Sequence, residues 1–375
     1  MNFWNRLLKR DYKYLNTIEL SKSRLIHNYH YLSGLNKKIK VAPVLKSNAY
    51  GHGLTEIAKM IDDQGAPFLC VDSLHEAYQL YKANIKTPIL IMGYINPENL
   101  KVKKLPFAYA VYDLDMARII HKHQPHAHVH LKIDTGMHRL GVQIDELDNF
   151  LDQLPDLNIV GVMSHFASAK GAKDPLFQNQ MKNFEKALQI IRSHTIHPQW
   201  IHIGASEAVL HPDTLQQVAK VSNLVRTGKA LYGYAMTIDD KNLQPILQLK
   251  THIAQIKKVK KGEKIGYDGT FTTKKETTLA ILPIGYNDGV DRGLSNTGSV
   301  TINEISCPVI GRVSMNITTV DVTEVENPLI NQEVIVISYN PHDPNSILQI
   351  AANCDTIPHE VLVHLAPSTR RIITE

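Results

Sequence analysis

Cysteine is scarce: the 375 residues contain only Cys70, Cys307 and Cys354. An odd number without C-x-x-C spacing builds neither a disulfide framework nor a paired metal-ligand motif, and it fits a reducing compartment. Long apolar runs are also missing, since no stretch reaches the roughly 18 residues that a membrane-spanning helix needs. The opening MNFWNRLLKRDYKYLN is broken by charges every few residues and offers no small-residue cleavage site, so a secretory leader is not expected and a cytoplasmic address is. Excess charge is small: 41 Lys and Arg against 36 Asp and Glu give +5. The basic residues are scattered instead of lying in stripes with interleaved aromatics, which argues against a nucleic-acid partner. Fixed-period repeats and low-complexity tracts are absent.

What is present is ordinary globular material, 43% hydrophobic and 21% charged, in a chain longer than one core usually organises. Short apolar runs recur at 40–45, 67–71, 88–92, 107–112, 128–133, 158–163, 199–203 and 222–226. Segments such as LTEIAKMIDD and FQNQMKNFEKALQIIRS lie between them, with apolar residues at helical spacing. Eight strands alternating with helices predict an α/β fold, a (β/α)8 barrel. Near residue 245 the texture turns to alternating Val, Ile and Thr with Gly, Pro and Asn turns, which predicts a β-rich second domain. The expected division is an N-terminal segment 1–14 packing with the C-terminal domain, a barrel over 15–245 and a β domain over 246–375.

Catalytic groups of such barrels sit at the carboxyl ends of the strands. VLKSNAYGHG, residues 44–53, puts Lys46 at the end of the first barrel strand, followed by a polar, glycine-bracketed turn. A strand-end lysine alone is more often solvated or ion-paired than catalytic. The ten-residue run, however, resembles the pyridoxal-phosphate attachment signature of alanine racemases. The resemblance begins at LNTIELSKSRLIHNY, similar to that family's opening strand and first helix, and extends through nearly the whole chain.

The resemblance implies roles for named residues. LKIDTGMHRLGV is similar to the segment whose arginine, here Arg139, serves the substrate carboxylate, and whose lysine, here Lys132, is carbamylated in some members. His165, Ser206, Arg226 and Gly228 match positions for a histidine behind the catalytic tyrosine, a phosphate-binding serine, an arginine at the pyridine nitrogen and a phosphate-holding backbone. KIGYDGTF carries the second catalytic residue, Tyr267, and GRVSMN carries Met315, whose backbone meets the substrate carboxylate. Tyr50 and His359 fall among the cofactor contacts. Out of that context, Arg139 reads as a structural ion pair, His165 as a satisfied core histidine and Tyr267 as a packing residue. For Tyr286 and Asp288, in LPIGYNDGVDRGLSN, a turn that braces the loop remains the better reading.

The implied activity is racemisation of alanine, with pyridoxal 5'-phosphate as cofactor, no metal, and homodimers whose active sites are composite. Lys46 and Tyr267 are the expected pair of bases, because moving a proton from one face of Cα to the other requires groups on both. A phenol ordinarily titrates near pH 10, so help from His165, linked to Arg226, is expected. Asn316, His359, Ala205 and Lys229 depart from the commonest pattern; Lys229 could help to bind phosphate. These changes keep serine or a broader set of small amino acids open as substrates. A pyridoxal-phosphate decarboxylase would need a glycine-rich phosphate loop and a C-terminal cysteine motif, and neither is seen. A non-catalytic pyridoxal-phosphate carrier would need only the barrel, leaving Tyr267 without purpose.

Overall fold

The computed structural model describes residues 14–235 and 240–375, so the expected N-terminal segment lies outside the described residues apart from Tyr14. The chain forms two compact units, one over Lys22–Ile246 and one combining the described residues up to Ser21 with Leu247–Thr374.

The first strand, β1 (Thr17–Ser21), pairs antiparallel with Leu247–His252 and parallel with Arg370–Thr374. The expected barrel domain began at residue 15, and the structure moves that boundary: the strand Thr17–Ser21 belongs to the β unit's sheet, where Ile18 and Leu20 are fully buried. The strand signal in TIELS is local, whereas its partners lie over 200 residues away.

The barrel strands are β2 (Lys40–Pro43), β3 (Leu69–Val71), β4 (Ile89–Ile91), β5 (Ala108–Val111) and β6 (His128–Asp134). A two-residue strand, β7 (Val142–Gln143), adds to the end of β6, and β8 (Asn158–Met163), β9 (Trp200–His202) and β10 (Leu224–Thr227) complete the ring. Apart from β7, these are the eight predicted runs. All neighbours are parallel, and β10 pairs with β2 to close the barrel. The two short seams are tied by backbone bonds, Leu45 N to Cys70 O at 2.8 Å and Arg226 N to Gly204 O at 3.1 Å. Ala42, Val44, Phe68, Cys70, Leu90 and Leu224 fill the interior.

Helix starts follow sequence signals. Ser73 and Glu76 form a capping box, while Asp113 and Asp174 cap the helices Leu114–His123 and Pro175–Ser193, the latter with proline in its first turn. These caps help to fix where each strand ends and where the mouth residues emerge.

In the β unit, β11 (Leu247–His252) lies beside β1. The strands β12 (Gln255–Val259), β15 (Thr277–Leu282) and β16 (Thr318–Asp321) make an antiparallel three-stranded sheet. Between the first two of these, β13 (Lys264–Ile265) and β14 (Phe271–Thr272) form a small hairpin that displays Tyr267. The turn expected at Tyr286 and Asp288 is a brace: Asp288 accepts bonds from Gly285 N at 3.0 Å and Asn16 Nδ2 at 3.3 Å.

Candidate active site

Lys46 stands at the carboxyl end of β2, and the four residues after it, Ser47 to Tyr50, all have φ between 53° and 55°. This is a left-handed helical turn of non-glycine residues, a conformation costing roughly 1–2 kcal/mol per residue. Surrounding bonds hold it. Glu76 accepts from Asn48 N at 3.3 Å, Asn48 Oδ1 accepts from Leu54 N at 2.8 Å, and Gly51 and Gly53 take the positive φ of the exit. The turn carries Tyr50 across to the end of β10. There a Cβ on Gly228 would lie 2.5 Å from the Tyr50 hydroxyl, so only glycine leaves room.

Ser206 Oγ, buried, accepts from the backbone N–H groups of Gly228 and Ala230 at 3.2 and 3.3 Å. Thr227 Oγ1 beside them is buried without a hydrogen-bond partner among the described residues. Hydroxyls and backbone N–H groups gathered around a glycine make a cradle for an anionic oxygen cluster such as phosphate. Lys229, expected as a possible phosphate contact, is instead bound to Glu207 at 2.6 Å, because its side chain finds a carboxylate on the helix Ser206–Leu210.

Arg226 is the hub of the barrel's polar interior. It donates to His202 Nδ1 at 2.6 Å, His202 O at 3.0 Å, Ser164 O at 2.5 Å and His165 Nδ1 at 3.3 Å. These four bonds occupy its terminal nitrogens and leave the Nε–H as the remaining donor. Because guanidinium only donates, both imidazoles must accept at Nδ1 and carry their protons on Nε2. His202 therefore donates from Nε2 to His130 Nδ1 at 2.8 Å. Burial and the Arg226 charge hold His165 and His130 down at about 3 and push His202 well below the usual imidazole range. Burial also lowers Arg226 to about 10. Gly161 faces His130 in register, and a Cβ there would come within 2.1 Å of His130 Nδ1.

Lys132 follows His130 by two residues and so shares its face of β6. It donates to Met92 O at 3.1 Å and is lowered to about 8, by burial first and then by the charges of Arg226 and Arg139. Arg139 lies exposed on the loop after β6. That loop starts in a carboxylate turn, where Asp134 Oδ1 accepts the N–H groups of Gly136, Met137 and His138 at 2.9 to 3.1 Å. Gln180, buried on the helix Pro175–Ser193, straps it to the end of β8. Its amide donates to Thr135 Oγ1 at 3.3 Å and His165 O at 3.0 Å, and accepts from Ala167 N at 2.7 Å.

The structure thus gathers Lys46, Tyr50, Lys132, Arg139, His165, Ser206, Arg226 and Gly228 in the barrel. Tyr267, Met315 and His359 belong to the β unit. Tyr267 is 70% exposed and Met315 55%, while His359 is half-buried in the first turn of the helix Pro358–Val363. Sequence reasoning missed His130, His202, Gln180 and Thr227. The alternation in HVHLKI could have flagged His130 as sharing a face with Lys132, but a lone His202 or Gln180 carries no signal.

These features define the class, a (β/α)8 barrel linked in one chain to a β-rich unit, with a cation-rich centre and an anion cradle at the strands' carboxyl ends. Family models agree over almost all of the sequence: "Alanine racemase, N-terminal domain" matches residues 20–236 and "Alanine racemase, C-terminal domain" residues 246–373. The chain belongs to the alanine racemase family. It is 34% identical over 361 residues to an alanine racemase of Syntrophobacter fumaroxidans, covering 92% of this chain and 93% of that one. Among solved structures, an alanine racemase of Clostridium difficile 630 superposes with a TM-score of 0.88 at 28% identity over 97% of each chain. One from Bacillus anthracis, with bound L-Ala-P, gives 0.87 at 28% identity over 97% of this chain and 96% of that one.

Proposed function

We propose that this protein is an alanine racemase, a pyridoxal-phosphate-dependent isomerase that interconverts L- and D-alanine with Lys46 and Tyr267 as its two bases. The observation that carries the reading is the Arg226 hub beside the Ser206–Gly228 cradle, within one barrel mouth with Lys46. The donor set fits the cofactor. Ser206, Gly228 N–H, Thr227 and Tyr50 suit a phosphate, the Nε–H of Arg226 suits an unprotonated ring nitrogen, and the amine of Lys46 suits covalent attachment.

The bound cofactor supplies an electron sink that acidifies the substrate Cα–H. The rest falls to the chain. Lys46, on a turn that Glu76 and Asn48 keep rigid, takes or returns the proton at Cα on one face. Tyr267, from a second copy of the chain, does so on the other, which makes the active unit a homodimer. His165, kept neutral with its proton on Nε2, can donate to that phenol's oxygen and stabilise its ionised form. Arg226, cationic and only a donor, would hold the cofactor's ring nitrogen as an unprotonated acceptor, which would weaken the electron sink and restrain side reactions. Arg139 and the Met315 backbone hold the substrate carboxylate. Met92 O gives Lys132 its anchor, and reaction of its amine with carbon dioxide would present a carbamate to Arg139. The cytoplasm, where D-alanine serves biosynthesis, is the proposed address. Among the described residues no helix is long and apolar enough to cross a membrane.

The test is D-alanine formation from L-alanine by the purified holoenzyme, with serine in parallel, alongside Lys46→Ala and Tyr267→Phe. The reading expects alanine to react fastest, Lys46→Ala to lose the cofactor's bound absorbance and all activity, and Tyr267→Phe to bind cofactor but lose racemisation. A protein that binds the cofactor yet racemises no amino acid would be the carrier instead.

A further inference from the structure

At the end of the barrel opposite the catalytic mouth, a pocket of about 320 Å³ opens beside the N-terminal ends of β4, β5 and β6. Its buried floor is Ile89 and Phe107, flanked by the exposed apolar rings of Pro88 and Pro106. Lys104, His126 and His128 stand exposed at its rim, and no Asp or Glu lines it. None of these three cationic or imidazole side chains forms an ion pair among the described residues; of the neighbouring lysines, Lys101 is paired with Glu98 and Lys103 is turned onto Tyr78.

The wall is built rather than incidental. Gln124, 3% exposed, donates to Leu100 O and Lys103 O at 2.7 Å each and accepts from Leu105 N at 2.9 Å. One buried amide thus fixes the loop bearing Lys104 against the segment bearing His126 and His128. The pocket is preformed, and a ligand need not order it.

An apolar floor and an unpaired basic rim ask for opposite properties in one ligand. We propose that this pocket binds a small organic monocarboxylate with a flat apolar body. The body packs between the prolines over Phe107, and the carboxylate accepts bonds from Lys104 Nζ and the imidazole N–H groups of His126 and His128. At about 30 Å³ per displaced water, the space suits an acid of roughly ten non-hydrogen atoms. A multiply charged phosphate would leave the apolar floor unused, and a neutral hydrocarbon the rim. The site is separate from the catalytic centre, so alanine does not compete for it.

Phenylacetate is the probe, measured on the holoenzyme by saturation-transfer NMR beside phenylacetamide, which has the same body without the charge. The expected dissociation constant for the acid is about 1–10 mM, with the amide at least tenfold weaker. Lys104→Ala/His128→Ala, which alters only exposed side chains, is expected to weaken the acid at least tenfold while leaving racemisation unchanged. Saturating alanine is expected to leave phenylacetate binding unaltered. Equal binding of acid and amide, undiminished binding by the double variant, displacement by alanine, or no saturable binding overturns the proposal.

Discussion

Gly228→Ala isolates the cradle at the end of β10. The glycine's φ lies outside the left-handed region, so alanine meets no backbone penalty there and its effect is steric. The new Cβ would sit 2.5 Å from the Tyr50 hydroxyl and 2.8 Å from its Cζ, about 1 Å inside ordinary contact. Tyr50 cannot simply swing away. Its ring packs on Tyr232 at 5.3 Å and its backbone is held at φ 54°. Overpacking of this kind costs about 1–3 kcal/mol. If the displacement falls on the cradle, cofactor affinity drops about 5- to 150-fold. The assay is titration of apoenzyme with pyridoxal phosphate, read by absorbance, with Gly34→Ala as control because nothing lies within 4 Å of a Cβ at Gly34. Cofactor affinity equal to that of the unsubstituted protein would refute the placement of the phosphate at Gly228.

Three further outcomes follow from the polar interior. His130, His165 and His202 stay neutral when folded but take up protons near pH 6.5 when unfolded. The unfolded state therefore binds more protons below that pH, and stability is present above it and lost as pH falls towards about 3. The limiting slope is about 1.4 kcal/mol per pH unit for each histidine, about 4 for all three; denaturant midpoints at about pH 7.5 and 5 check it, and equal midpoints contradict it. Gln180→Ala removes the partners of the Ala167 N–H and the His165 carbonyl, both part-buried, costing about 1–3 kcal/mol in all. Because the Arg139 loop loosens with it, KM for alanine is expected to rise more than kcat falls; the reverse split would place Gln180's influence on His165 alone. Lys132, lowered to about 8, presents a neutral amine above that pH, so bicarbonate is expected to raise kcat/KM reversibly and to add the mass of carbon dioxide, with Lys132→Ala insensitive on both counts.

The eight barrel runs were readable because each is a short apolar segment flanked by amphipathic helices, and a parallel barrel buries both faces of its strands. Lys46, Arg139, His165, Ser206, Arg226, Gly228 and Tyr267 could be singled out as candidates because each lies in a strong local motif. Thr17–Ser21 was assigned to the wrong unit for the converse reason. TIELS says strand, but the choice of partner depends on segments that fold beside it from residues 247–252 and 370–374. Beside Gly228 in sequence, Lys229 reads as a possible phosphate contact, but in the fold Glu207 takes its charge.

By itself the sequence determined the succession of elements, the strand-end position of Lys46 and the resemblance that names the chemistry, since these depend on periodicity and on residues adjacent in the chain. Only the tertiary structure decided which way protons lie along Arg226, His202 and His130. It alone also revealed that four residues after Lys46 are held left-handed, that Gln180 ties two loops together and that a basic-rimmed pocket opens at the far end of the barrel. Each of these depends on groups distant in sequence meeting within hydrogen-bond or van der Waals distance in a water-poor interior. There, an unpaired donor or charge costs enough that position, more than residue type, sets what a side chain does.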